Sequence, residues 1–245
     1  MGANATLWQH ADREALATLL PEALVVVPLG ATEQHGPHLA TGTDALIAQE
    51  VARRGAQAAA ARSPRALVVT PTIAFGASDH HLPFGGTLSL SPRTLMAVLA
   101  DVLRSIATQG GRRVVLVNGH GGNVGVCHAA AADAAATLGI AIAHLDYWAL
   151  AEAEDGLFVP GHAGEFETSL VLALLPDGVT APAVRDPQPV VLEVSDVGLH
   201  DAAVWKAIDG YTDRPDRADA DAGARRLDHL VAQAADRLIA LAEAW

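Results

Sequence analysis

Short apolar runs alternate along the chain with longer segments in which apolar residues recur at the helical period. Four runs of five to seven residues, rich in Val, Leu, Ile and Ala, predict strands over Ala23–Leu29, Ala66–Thr70, Arg113–Val117 and Ile140–Leu145. These runs lack the alternating polar face of a half-exposed strand. The pattern therefore favours an α/β fold with a parallel sheet that is covered by helices.

The intervening segments carry helical signals at their ends. Ser91 followed by Pro92 predicts a helix start, and Thr41 or Thr43 is the expected N-cap of the first long helix. The predicted helices are Thr43–Ala60, Ser91–Thr108, Val124–Leu138, Glu167–Leu175 and Asp216–Ala244. The segment Asp177–Tyr211 is predicted to form loops with one or two short strands, including Val190–Val194. No repeat or linker interrupts the pattern, so residues 1–245 are predicted to form a single domain.

The composition argues against several classes of protein. The 245 residues are 51% apolar with a formal net charge of −12, and this acidity opposes binding to nucleic acids or anionic membranes. Cys127 is the single cysteine, which excludes an intrachain disulfide and a cysteine-based zinc cluster. The apolar stretch Ala23–Ala31 has nine residues, whereas a membrane span needs about twenty. No signal pattern is recognised near the start, so the expected location is the cytoplasm.

The first candidate site follows the first predicted strand directly. Glu33 and His35 are two residues apart, so in an extended segment both side chains point the same way. A carboxylate and an imidazole at a strand end suit Zn²⁺, Mn²⁺ or Fe²⁺. The nearby Asp44 offers two oxygens and could bridge two ions. Taken alone, Glu33 could instead be a helix-capping or surface carboxylate, and His35 could be an ordinary loop histidine.

The second candidate site follows the predicted strand Arg113–Val117 in the same way. His120 lies in the sequence Asn-Gly-His-Gly-Gly-Asn, and it should reach the same edge of the sheet as Glu33 and His35. The alternative is a dinucleotide-binding loop, but the third glycine of G-x-G-x-x-G would fall on Val124. A metal site is therefore favoured over a nucleotide site.

Two further loops carry candidate residues. The Gly-rich segment Phe75–Thr87 follows the second predicted strand, and its Ser78, His80 and His81 are candidates for substrate contact. The alternative for this segment is a purely structural crossover. His162 follows Pro-Gly and precedes a helix with Glu167 in its first turn, where an acid would also favour the helix dipole.

Taken together, these segments resemble the creatininase family of metal-dependent amidohydrolases. The matching pieces are Leu29-Gly30-Ala31-Thr32-Glu33-Gln34-His35-Gly36, Asp44, Asn118-Gly119-His120, and His162-Ala163-Gly164 with Glu167-Thr168-Ser169. The resemblance covers roughly residues 20 to 180. It implies a three-layer α/β/α sandwich with a mostly parallel central sheet and a site for two divalent metal ions (Zn, Mn or Fe). It also implies a homo-oligomer, commonly a hexamer.

The resemblance also implies roles for individual residues. Glu33, His35, Asp44 and His120 match metal ligands, with Asp44 as the bridge, and His162 matches the catalytic histidine. Creatinine-hydrolysing members carry Tyr-Glu directly after the histidine of the Asn-Gly-His element, and that glutamate is a metal ligand. This chain has Gly121 and Gly122 after His120 instead. Glu167 is the expected replacement ligand. Gly121 and Glu165 join Ser78 and His80 as the predicted substrate-binding residues.

These departures make creatinine an unexpected substrate. The glycine form is more similar to members that cleave formamides of pyrimidine precursors, or to the member that trims the mycofactocin precursor peptide. The expected function is hydrolysis of an amide C–N bond in a small molecule or short peptide by metal-activated water. The alternatives are a mycofactocin precursor peptidase and a non-catalytic module that binds a metal or small ligand.

Overall fold

The centre of the molecule is a parallel sheet. The computed structural model describes residues 4–181 and 202–245, and within them the sheet has five strands in the order β1-β3-β2-β4-β5. The strands are β1 Thr6–Leu7, β2 Leu24–Leu29, β3 Leu67–Val69, β4 Arg113–Asn118 and β5 Ala141–Asp146. Each pairing is parallel.

Helices cover both faces of this sheet. They are α1 Arg13–Leu19, α2 Thr43–Ala59, α3 Pro92–Thr108, α4 Val124–Leu138, α5 Glu165–Leu174, α6 Ala202–Ala207 and α7 Ala220–Ala244. Successive β2 residues point to opposite faces: Val25 and Val27 pack with α3 and α4, whereas Leu24 and Val26 pack with α2 and α7. The three-layer α/β/α sandwich with a parallel sheet is therefore confirmed.

The four strands predicted from the long apolar runs and the predicted helices are confirmed to within a few residues, and the larger differences lie at helix ends. The N-cap of α2 is Gly42, not Thr41 or Thr43, and the hydroxyl of Thr43 donates instead to the main-chain oxygen of Ala40. α7 begins at Ala220 rather than Asp216, because Asp219 caps it by accepting from the N–H of Ala222.

The sequence analysis did not predict three short elements that the structure contains. β1 and α1 lie before the first predicted strand, and α6 lies within Asp177–Tyr211, which was predicted to form loops and short strands. Each has too few residues to show a period. The predicted strand Val190–Val194 lies outside the described residues.

The strand order creates a crevice at the carboxyl edge of the sheet. The chain leaves β2 through α2 towards β3 on one side, and it leaves β4 through α4 towards β5 on the other side. β2 and β4 are neighbours, with Leu29 paired to Asn118 at their ends. In open α/β sheets, ligands bind where neighbouring strands send their connections in opposite directions.

Among the described residues, no helix combines the length and the apolar character that crossing a membrane would require.

The crossing of α5 and α7 depends on a glycine. A Cβ atom added to Gly223 would overlap the main-chain oxygen of Ser169, whereas one added to Gly125 on α4 would meet nothing within 4 Å. We expect Gly223→Ala to lower the free energy of unfolding by about 1–3 kcal/mol through overpacking. Gly125→Ala, the matched control, should raise it by about 0.4–1 kcal/mol, since alanine restricts the unfolded chain. Urea unfolding of both variants tests this, and equal effects of the two changes would contradict it.

Candidate metal centre

Four predicted ligands meet at the carboxyl ends of β2 and β4. Glu33 and His35 follow β2, Asp44 lies in the first turn of α2, and His120 follows β4. All four side chains are buried. The loop after β2 therefore returns to α2 with its polar side chains pointing into the crevice rather than into solvent.

Asp44 lies between two histidines and presents one oxygen to each. Its Oδ1 is 3.0 Å from Nε2 of His35, and its Oδ2 is 3.1 Å from Nδ1 of His120. The same Nδ1 of His120 is 3.2 Å from Oε1 of Glu33. This arrangement suits a carboxylate that bridges two ions.

Several oxygen atoms in this cluster lack hydrogen-bond partners. Among the described residues, both carboxylate oxygens of Glu33 and Oδ2 of Asp44 are buried without one. Buried polar atoms are almost always satisfied, and an unpaired buried carboxylate is costly. Lone pairs that face neighbouring imidazole nitrogens are the donor set of a divalent transition-metal site. The residues present therefore fit a metal ion.

The charges of the cluster lead to the same conclusion. Burial lowers the pKa of His35, but the carboxylates of Asp44, Glu167 and Glu33 outweigh burial and raise that pKa to about 10. Burial likewise opposes protonation of His120, yet Glu33 and Asp44 raise its pKa well above the ordinary value. Without a cation, protons on these imidazoles supply the positive charge that the carboxylates require.

Glu167 reaches the same cluster from the first turn of α5. Its Oε2 accepts a hydrogen bond of 2.6 Å from the N–H of Ala163 and lies 3.8 Å from Nε2 of His35. Burial is the main cause that raises the pKa of Glu167 to about 8, and Asp44 and Glu33 add to it against the opposing charge of His35. Its carboxylate thus lies on the His35 side of Asp44.

Two stacked imidazoles close another side of the cluster. The rings of His81 and His162 are 4.2 Å apart at 16°. Nε2 of His81 and Nδ1 of His162 each lie 3.5 Å from Oε1 of Glu33. Burial is the main cause that lowers the pKa of both rings, with a further contribution from neighbouring histidines.

The ligand atoms of the cluster form overlapping triads. In each triad the atoms lie within 4.8 Å of one another, close enough to share an ion. The triads are Glu33-His35-Asp44, Glu33-His80-His120, Glu33-His81-His162 and His35-His162-Glu167.

The predicted substrate-binding residues occupy different positions. Ser78 is buried with its Oγ 3.2 Å from Nε2 of His120, and the ring of His80 lies parallel to that of His120 at 5.7 Å. Gly121 is exposed next to His120. Glu165 is not brought into the cluster, because its Oε1 lies 3.5 Å from Arg226 on α7. Residues two apart on a helix do not share a face, so α5 does not point both Glu165 and Glu167 at the same site.

Two neighbours of the cluster were missed by sequence reasoning. Gln34 is buried and its amide contacts both His81 and His162. It lies between two predicted ligands, and a two-residue alternation would have pointed it away from them. Trp205 on α6 packs its ring 4.6 Å from that of His81 and 5.2 Å from that of His162. Trp205 is distant in sequence from the other residues of the cluster, so no sequence motif indicated that it would lie there.

Comparison with known proteins agrees with this geometry. The creatininase family, described as creatinine amidohydrolase, matches residues 9–238, and this chain belongs to that family. The creatinine amidohydrolase of Pseudomonas putida is 32% identical over 199 residues, which are 72% of this chain and 74% of that protein. A creatininase structure described as the Mn form superposes with a TM-score of 0.80 at 28% identity, covering 96% of this chain and 97% of that one.

A second kind of relative is a peptidase. The mycofactocin precursor peptide peptidase of Mycolicibacterium smegmatis is 40% identical over 163 residues, which are 64% of this chain and 60% of that protein. This chain therefore matches less than two thirds of the length of that relative.

The close packing around Gly122 distinguishes this chain from the creatinine-hydrolysing pattern. A Cβ atom at position 122 would overlap the main-chain oxygen of Ala77 and lie 2.5 Å from Nε2 of His120. The glutamate that the family resemblance places here would require His120 to move. In this structure, position 122 therefore has no room for a side chain unless Ala77 or His120 moves.

We expect Gly122→Ala to displace the ring of His120 and weaken metal binding by about 10- to 100-fold, the usual effect of disturbing the support of a ligand. Gly121→Ala is the matched control, because a Cβ atom there meets nothing within 4 Å. Titration of each metal-free variant with Zn²⁺ measures the difference. Equal affinities in the two variants would show that the packing around Gly122 does not hold His120.

Proposed function

We propose that this chain is a hydrolase of amide C–N bonds that uses two divalent metal ions. The observation that carries the proposal is the set of buried carboxylate oxygens on Glu33 and Asp44 that lack hydrogen-bond partners and face imidazole nitrogens. Membership of the creatininase family supports the reaction class. The Mn form of a similar creatininase supports a transition metal.

The two oxygens of Asp44 divide the ligands into two sets. His35 and Glu167 lie on the Oδ1 side, and His120 and Glu33 lie on the Oδ2 side. We assign these five residues as the ligands, with zinc, manganese or iron as the expected metals, since nitrogen and carboxylate donors suit all three. When bound, the ions would lower the pKa of a water molecule and polarise the substrate carbonyl.

We assign proton transfer to His162. Its Nε2 lies 2.9 Å from the main-chain oxygen of Gln34, an acceptor, so the proton resides on Nε2 and the lone pair of Nδ1 faces the cluster. Burial lowers the pKa of this ring and keeps it neutral, so Nδ1 retains its lone pair. Nδ1 would take a proton from the attacking water and return it to the departing amide nitrogen as the C–N bond breaks.

A short peptide is the second, more specific candidate for the substrate. The identity of 40% to a mycofactocin precursor peptide peptidase favours it, and so does the packing that requires glycine at position 122. A formamide or cyclic amide other than creatinine is the small-molecule alternative. Creatinine itself is disfavoured because Gly122 leaves no room for the glutamate associated with its hydrolysis.

A panel of substrates tests the reaction class. Zinc-, manganese- and iron-loaded protein should be assayed for amine release from short peptides, formamides, cyclic amides and creatinine. We expect hydrolysis of a peptide or a small amide and little turnover of creatinine. Robust creatinine hydrolysis would overturn the substrate assignment, and stable metal binding without turnover of any amide would favour a non-catalytic module.

Metal content and kcat, measured on the same variants, test the assigned roles. Asp44→Asn should lose both ions and the activity, because it removes one of the two bridging oxygens. His162→Ala should keep its metal while kcat falls by about 10²- to 10⁴-fold, the usual contribution of a general acid–base group. Asp133→Asn, on the exposed face of α4, is the charge-matched control and should change neither. A metal-free His162→Ala protein would make His162 a ligand instead.

A further inference from the structure

The side-chain amide of Gln34 touches two imidazoles that both face the cluster. Its Nε2 lies 2.8 Å from Nδ1 of His81, 3.1 Å from Nε2 of His162 and 2.6 Å from the main-chain oxygen of Gly210. An amide nitrogen has two hydrogens, so only two of these three neighbours can accept from it. Which two accept decides the tautomer of each ring.

The orientation of the amide is fixed from outside the cluster. Its Oε1 accepts a 2.9 Å hydrogen bond from the main-chain N–H of Gly36, which can only donate. The main-chain oxygen of Gly210 can only accept, so it takes one hydrogen of Nε2. One amide hydrogen therefore remains for the two histidines.

His162 cannot take that hydrogen. Its Nε2 lies 2.9 Å from the main-chain oxygen of Gln34, which can only accept, so Nε2 must donate there. The remaining amide hydrogen goes to Nδ1 of His81 at 2.8 Å. Nδ1 of His81 then carries a lone pair, and the proton of that ring lies on Nε2.

We infer that Gln34 is a positioning residue that fixes opposite tautomers in the two stacked rings, so that His81 presents an Nε2–H donor and His162 presents an Nδ1 lone pair to the same site. Nε2 of His81 is fully buried; Oε1 of Glu33 lies 3.5 Å away without a hydrogen bond between them, and no described residue accepts a hydrogen bond from Nε2. Although His81 belongs to one of the potential ligand triads, a protonated Nε2 cannot coordinate an ion.

The partner that fits this donor is an anionic oxygen of the substrate. When water attacks an amide carbonyl, negative charge develops on the carbonyl oxygen, and a buried neutral donor stabilises that charge. This role rests on the proposed amide hydrolysis, whereas the tautomers do not depend on it. Nδ1 of the neighbouring His162 would transfer the proton to the amide nitrogen. The two rings would therefore act on two different atoms of the same amide group.

The tautomers can be measured directly by NMR on protein with ¹⁵N-labelled histidine, in the metal-free and the diamagnetic zinc-loaded forms. Long-range ¹H–¹⁵N correlations distinguish a protonated ring nitrogen from one with a lone pair, and His81→Gln assigns the signals of His81. We expect the proton of His81 on Nε2 in both forms. A proton on Nδ1, or zinc bound at Nε2, would overturn the inference.

Exchange of the amide donor for an acceptor tests the cause. Gln34→Glu puts a carboxylate beside Nδ1 of His81, and we expect this nitrogen to become protonated. Gln49→Glu, at an exposed position on α2, adds the same charge and should leave the signals of His81 unchanged. Identical His81 signals in folded Gln34→Glu protein would mean that Gln34 does not set the tautomer.

The donor role is tested with inorganic phosphate, a tetrahedral anion, on zinc-loaded protein by calorimetry. His81→Leu should bind phosphate about 10-fold more weakly with unchanged zinc content, since hydrogen bonds to charged groups contribute this much. His81→Gln, which keeps a neutral N–H donor, should recover most of the affinity. Parent affinity in His81→Leu, or loss of zinc from it, would contradict the role, whatever the substrate panel shows.

Discussion

Carboxylates that are buried without enough donors require a cation, and this requirement organises the crevice between β2 and β4. Glu33 and Asp44 lie where the chain turns away from the sheet, in a position that solvent does not reach. An isolated charge in such a place is among the most costly features a protein can contain. The surrounding histidines meet part of the requirement with protons, as the raised pKa values of His35 and His120 indicate. Divalent ions would meet it fully and would release those protons.

The fold serves this cluster by bringing distant segments to one edge. The segments that follow β2 and β4 bring together Glu33, His35 and His120, which were predicted from the sequence as ligands, because in a parallel sheet the residues after neighbouring strands meet. Periodicity also located the helices that cover the sheet. It could not locate the directions of loop side chains. Gln34 illustrates this limit, since an alternating strand would point it away from the cluster, but the chain bends after β2 and turns it inward.

Glu165 and Trp205 illustrate the same limit from opposite directions. Glu165 was predicted near the substrate because it adjoins His162 and Glu167, but the helical period turns it to Arg226 instead. Trp205 lies more than forty residues beyond His162 in the sequence, yet it packs against the ring of His162. Such contacts depend on how helices return to the sheet, which local sequence does not encode. Gly122 is the converse case. The sequence shows that the glutamate of the creatinine-hydrolysing pattern is missing there, and the structure shows that the nearby main-chain oxygen of Ala77 leaves no room for a side chain.

The central claim is that the buried cluster around Asp44 holds metal ions. Anomalous diffraction from crystals of manganese- or zinc-loaded protein, recorded on both sides of the metal absorption edge, tests it most directly. The account predicts two anomalous peaks beside Asp44, one on the side of His35 and Glu167 and the other on the side of Glu33 and His120. Well-occupied peaks elsewhere, with none in this cluster, would contradict it.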